Sequence, residues 1–234
     1  MKCQIADVIV EIPAAGGMAS RCREYIINTN DSADITILES DYEPQLSPWL
    51  DYEMLCYMDS GGLFYRDLLR FNGMMLHASA VVLDGKAYLF SGTCGVGKST
   101  HTRLWQKCFA DARVINDDKP ALRLIDDRWC AYGTPWCGKD GINLNEKAPI
   151  AGICFMKQSN VNRIRRVSAQ EAVPLVYGQA NRRLRKQEDT LRLLTAVDSL
   201  VRKIPIFELE NLPVPEAAQL SMETMRQAAV QANL

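Results

Sequence analysis

The stretch Ala87-Tyr88-Leu89-Phe90-Ser91-Gly92-Thr93-Cys94-Gly95-Val96-Gly97-Lys98-Ser99-Thr100 decides how this chain is read. Gly92 to Ser99 fits the pattern G-x-x-x-x-G-K-[ST] in full. An apolar run suited to a strand precedes it. A stretch that places Leu104, Trp105 and Cys108 on one helical face follows it. Glycines let the backbone curl so that successive N–H groups point inward, and the helix N-terminus adds to the anion site they form. Lys98 supplies a charge for the β- and γ-phosphates and Ser99 a hydroxyl for magnesium. The expected cofactor-binding set is Gly92, Thr93, Cys94, Gly95, Val96, Gly97, Lys98, Ser99 and Thr100, with ATP or GTP and Mg²⁺ as ligands. Cys94 has two readings: a thiol made reactive by the helix N-terminus, or a small residue the loop can accommodate.

Working outward, Ala78–Leu83 and residues 86–90 flank Asp84-Gly85, a tight-turn signal for a hairpin. A helix is expected over Lys98–Cys108. Strands are expected over residues 113–115, Ala121–Ile125, residues 129–132 and residues 149–156, with Asp126-Asp127 as a plain turn. Residues 163–167 are expected to pair with 149–156 across a turn at 158–160. Ser168 with Glu171 reads as a capping box opening a helix. Helix, strand and helix then follow over residues 188–203, residues 204–209 and Pro215–Gln231. Upstream, residues 5–12 and 35–38 look like strands. Residues 49–71 have helical spacing that Gly61-Gly62 is expected to interrupt. This is not the strict alternation of a doubly wound sheet. The expected class is mixed α/β: a mixed sheet with the phosphate loop embedded in it, plus a small N-terminal α+β unit. The expected division is an accessory segment over residues 1–72 and a catalytic domain over residues 73–234.

Composition narrows the function. The chain has 234 residues, 47% hydrophobic and 24% charged, with a formal net charge of -1, so bulk nucleic-acid binding has little support. Asp7 and Glu11 break the N-terminal apolar stretch, and no run approaches the roughly 20 residues of a membrane helix, so a cytoplasmic protein without membrane contact is expected. Eight scattered cysteines without C-x-x-C spacing, and two histidines, speak against zinc and against a disulfide framework.

Val114-Ile115-Asn116-Asp117-Asp118 puts two carboxylates at the end of a short apolar strand. In phosphate-loop enzymes a strand-end aspartate holds magnesium, and a neighbouring carboxylate can accept the proton of an attacking hydroxyl. Adjacent strand residues face opposite ways, so both can serve one site only if the strand ends or twists there. His77 stands before the hairpin, where a histidine is usually structural or surface-exposed. His101, one turn into the helix, can be core or surface.

The run Leu76-His77-Ala78-Ser79-Ala80-Val81-Val82, the hairpin, residues 91–100 and Asn116-Asp117-Asp118 resemble the catalytic domain of the HPr kinase family, which shares its fold with ATP-dependent phosphoenolpyruvate carboxykinases. Gly133-Thr134-Pro135-Trp136-Cys137-Gly138-Lys139 looks closer to small HPr-kinase-like proteins found beside modified-peptide gene clusters. The resemblance implies that His77 lies near the transferred phosphoryl group, Asp117 acts as general base and Asp118 as magnesium ligand with Ser99, the two aspartates being exchangeable. Lys139 would reach phosphates or acceptor, or else be a surface lysine. The signature by which HPr kinases engage their carrier protein and the carboxykinase residues for oxaloacetate are not found, which leaves the acceptor open. Three functions follow: a kinase for a serine hydroxyl of a peptide or protein; a small-molecule kinase or carboxykinase-like enzyme, with Arg163, Arg165 and Arg166 as acceptor anchors; or a nucleotide-binding regulatory module without turnover. The basic run Asn181-Arg182-Arg183-Leu184-Arg185-Lys186 can dock an acidic partner or be a solvated helix approach, and a homo-oligomer is also open.

Overall fold

A computed structural model of the chain describes residues 1–181 and 183–232. β1 (Lys2–Ile5) and β2 (Val8–Glu11) form an antiparallel hairpin in place of the single strand expected over residues 5–12. Ala6 and Asp7 both stand at positive φ, 52° and 56°, and turn the chain back on itself. β3 (Ile35–Thr36) joins β2 in parallel, and α1 (Met18–Arg21) packs beneath this small sheet. α2 (Tyr52–Leu68) is capped by Asp51, which accepts the Met54 N–H at 2.7 Å.

α2 runs unbroken through Gly61-Gly62, contrary to the expected interruption. A Cβ on Gly61 would stand 2.8 Å from the indole Cδ1 of the buried Trp136. The glycine is needed for that close approach and does not end the helix.

The remaining strands are β4 (Gly73–Met75), β5 (Ala78–Leu83), β6 (Lys86–Ser91), β7 (Arg113–Asn116), β8 (Ala121–Ile125), β9 (Arg128–Tyr132), β10 (Lys147–Gln158), β11 (Arg163–Arg166) and β12 (Ile206–Asn211). They form one mixed sheet in the order β4-β8-β9-β10-β6-β5-β7, with β12 on β10 and β11 on β12. The β5–β6 hairpin turns on Asp84 and Gly85 at φ 51° and 72°, as the sequence signal requires. β10 is the junction: antiparallel to β9 at residues 147–149, parallel to β6 at 150–155 and parallel to β12 at 153–158. β11 therefore pairs with β12 and not with β10, because β12 occupies the β10 edge. Opposite charges fix that register, Arg163 facing Glu210 and Arg165 facing Glu208.

Four helices cover the sheet: α3 (Lys98–Cys108), α4 (Ala169–Gln179), α5 (Gln187–Lys203) and α6 (Pro215–Gln231). Alternation sorts the strand residues. Ala78, Ala80, Val82 and Leu89 point to the α4–α5 side, and Val81, Leu83, Tyr88 and Phe90 to the α3–α6 side. A bulge between Ile150 and Gly152 shifts the phase of β10, so Ile150 and Ile153 reach the same face. The N-terminal core is not closed on itself: Ala121, Tyr132 and Trp136 complete it. Asp59, buried on α2, accepts the Glu43 N–H at 2.7 Å and pairs with Arg183, and Arg185 pairs with Glu43 at 2.8 Å. The basic run is thus spent on the N-terminal unit at Arg183 and Arg185, while Arg182 lies outside the described residues. Among the described residues no helix is long and apolar enough to cross a membrane.

Candidate active site at the glycine loop

β6 runs directly into the loop and α3 leaves it, the strand–loop–helix context the motif requires. Gly95 and Gly97 stand at φ 81° and 103°, and a Cβ at either would meet nothing within 4 Å. Backbone conformation, not crowding, demands glycine there. Lys98 is buried at the first position of α3, and its ammonium donates to the carbonyls of Gly92 at 2.9 Å and Thr93 at 3.3 Å. Burial lowers its pKa, while the nearby Asp118 works in the opposite direction. Cys94 is exposed on the loop and all eight cysteines are free thiols.

β7 ends at Asn116, and that residue explains how two adjacent aspartates share a site. The Asn116 side-chain oxygen accepts the N–H groups of Asp118 at 3.0 Å and Lys119 at 2.7 Å, an Asx-type turn that folds the chain out of the strand. Its amide nitrogen donates to the Thr134 carbonyl at 3.1 Å, anchoring the turn to the loop after β9. Asp117 and Asp118 then line one cleft of about 460 Å³ with His77, Lys98, Ser99, Thr100 and Lys139.

The two carboxylates differ. Asp117 accepts the Gly138 N–H at 2.5 Å and keeps its other oxygen off that bond. Burial raises its pKa, opposed by the Gly138 N–H and helped by the charge on Asp118. Asp118 accepts from His77 Nε2 at 2.9 Å and pairs with the Lys119 ammonium. Burial alone would raise its pKa, but the His77 hydrogen bond and the Lys119 charge outweigh it and hold the carboxyl well below the usual range. Lys119 also donates to the Tyr57 hydroxyl of α2 at 2.9 Å. His77 Nδ1 lies 3.1 Å from the Gln179 side-chain oxygen at the end of α4.

Residues 92–100, His77, Asp117, Asp118 and Lys139 fall on this loop or line this cleft, Lys139 from the exposed rim, whereas the candidate acceptor anchors Arg163, Arg165 and Arg166 lie on β11 and are not part of its lining. His101 is core: it packs against Phe90 with ring centroids 4.5 Å apart and meets Ser221 of α6 at 3.0 Å. Arg163 and Arg165 pair with Glu210 and with Glu171 and Glu208, on the β11 surface. Lys119 and Gln179 were not singled out from the sequence. Lys119 carried a signal, a third charge beside the aspartate pair; Gln179 carried none, since α4 alone brings it to His77. Among the described residues no three His, Cys, Asp or Glu side chains converge as a metal cage.

No family model matches the chain, and no curated protein matches it. Among solved structures it is similar to the Hpr(Ser) kinase/phosphatase from Coxiella burnetii, with 12% identity and a TM-score of 0.40 over 68% of this chain and 92% of that one. An overlap of that depth assigns neither activity nor substrate.

Proposed function

We propose that the chain is a P-loop kinase that transfers the γ-phosphoryl group of ATP to a serine hydroxyl of a peptide or protein. The observation that carries this reading is the single cleft in which Lys98 and Ser99 face Asp117, Asp118 and His77. The left-handed glycines Gly95 and Gly97, both lining the cleft, suit a loop whose backbone N–H groups hold a phosphate chain. A magnesium ion would be held by Ser99 and Asp118 and would neutralise charge on the triphosphate. Both side chains line one cleft and offer oxygen donors, the ligand type a hard cation takes.

The chain's own groups divide the remaining work. Asp117, its pKa raised by burial, takes the proton of the attacking hydroxyl. The hydroxyl oxygen bonds to the γ-phosphorus as the bridge to the β-phosphate breaks, and ADP leaves with that electron pair. Lys98 balances charge on the transferred group, and His77, held by Asp118 and Gln179, lies beside it.

Labelled Mg-ATP with pooled serine-containing peptides tests the assignment. Lys98→Ala is expected to abolish transfer. Asp117→Asn is expected to lower the rate about 10²–10⁴-fold while nucleotide affinity by calorimetry stays near that of the parent. Parent-like turnover in Asp117→Asn would remove Asp117 as the base.

A further inference from the structure

A second cleft, of about 540 Å³, adjoins the first, and Cys94 and Gly95 line both. It contacts residues 92–96, the outer half of the loop, but none of Lys98, Ser99 or Thr100. Those three line the 460 Å³ cleft with the aspartates, so the reacting phosphate belongs there, and the second cleft continues from it along residues 92–96. β10 and α4 form its walls. Gln158 at the end of β10 closes it by donating to the Gly95 carbonyl at 3.1 Å. Gln179 is shared: it lines the second cleft and its side-chain oxygen meets His77, which lines the first.

Gly178 marks the cleft as a kept space. Glycine is among the poorest helix formers, yet one stands in the last turn of α4. A Cβ there would meet nothing within 4 Å, so packing does not require it. Gly178 borders the cleft, so a bulky side chain at this position is expected to take up part of its space. The charges at the cleft are also informative. Among the described residues, Lys157 and Glu208 are its only ionisable lining residues besides Cys94, and they neutralise each other at 2.7 Å. Glu208 is further paired with Arg165. Such a site offers no uncommitted charge to select an ionised metabolite. With Leu175, Pro174 and Met156 as its apolar surface, it suits an uncharged stretch of chain.

We infer that this second cleft is the acceptor site: it seats an uncharged, partly apolar peptide segment whose serine hydroxyl passes the outer half of the loop, beside Gln179 and His77, to reach the phosphoryl group. This rests on the phosphotransfer reading above, and it adds where the acceptor lies and that the acceptor is a neutral peptide segment.

The series Gly178→Ala, Gly178→Leu and Gly178→Trp tests it. Each variant is melted, titrated with Mg-ATP by calorimetry, and assayed on the best substrate that the parent selects from a library of short uncharged serine-containing peptides. The expected result is a rise in acceptor KM ordered by side-chain volume and at least tenfold for tryptophan, with Mg-ATP affinity within twofold of the parent. Parent-like acceptor KM in folded Gly178→Trp overturns the cleft and leaves the kinase reading standing. Parallel loss of Mg-ATP affinity also overturns it, because the cleft would then hold the nucleoside. A parent enzyme that binds Mg-ATP but phosphorylates no library peptide overturns both the peptide reading and this ligand class. Should tryptophan prevent folding, the leucine variant decides by the same criteria.

Discussion

At the scale of single residues, burial separates groups that the sequence presents as alike. The two histidines differ most. His77 touches the aspartate pair, whereas His101 is sealed under α6, where the Ser221 hydroxyl donates to the Ala218 carbonyl at 2.9 Å and accepts from Trp105 at 3.0 Å. The Ser221 proton is committed, so His101 donates from Nε2, and its Nδ1 is buried without a hydrogen-bond partner. Burial lowers the His101 pKa from 6.5 to about 4. The unfolded chain therefore binds the extra proton first, and folded stability falls as pH drops from 6.5 toward 4. The full loss attributable to this group is about 3 kcal/mol. Denaturant unfolding at pH 7, 6, 5 and 4 should show that decline, and His101→Asn should flatten it relative to the parent. Burial shifts the Asp117 pKa the other way, upward, and in the proposed transfer its base form is the active one. Transfer should fall with acid at a pH above the usual aspartate range, and Asp117→Asn should erase that limb of the rate profile.

At the scale of elements, glycines show what periodicity can and cannot report. The hairpin at Asp84-Gly85, the loop at residues 92–99, α3, the capping box at Ser168 and the closing α6 were all legible, because each is specified by neighbours in sequence. Gly61-Gly62 was misleading. The same residue type that ends a helix also permits close contact, and only the position of Trp136, 75 residues on, tells the two apart. Gly61→Ala is expected to destabilise by roughly 1–3 kcal/mol despite better helix propensity, because the indole is fully buried and has no room to shift. Gly178→Ala should stabilise by about 0.5–1 kcal/mol, since its methyl enters open space. Chemical denaturation of both variants would show whether the signs differ. The β11 partner was misassigned for a similar reason: local spacing favours the nearest strand, and β12 arrives from 40 residues downstream to take that edge. In the site, the loop and the aspartate pair were legible as motifs. Lys119 and Gln179 were not, because their roles come from contacts with α2 and His77.

At the scale of the whole molecule, the N-terminal unit and the sheet share a core. Trp136, Tyr132 and Ala121 are buried against the N-terminal residues. Arg123 donates to the Ala6 carbonyl at 2.6 Å, and Asp7 accepts from Tyr132 and Lys147, both at 2.7 Å. Removing residues 1–72 would strip one wall from Trp136 and the Tyr57 partner from Lys119. We expect the truncated chain to lose its sharp unfolding transition and native tryptophan fluorescence, while the full chain melts in one step. Retention of a cooperative transition in the truncated chain would show that the sheet folds without its cover.

The junction strand has one more effect, on the order in which the protein can be made. β6, which feeds the loop, emerges early in synthesis, but its parallel neighbour β10 follows some 60 residues later and β12 about 120 residues later. At about 5–20 residues per second, that leaves roughly 6–24 s between the glycine loop and the last strand that steadies it. For that interval a nascent chain carries the loop without its frame, so any grip the loop has on a triphosphate must wait for β10 and β12.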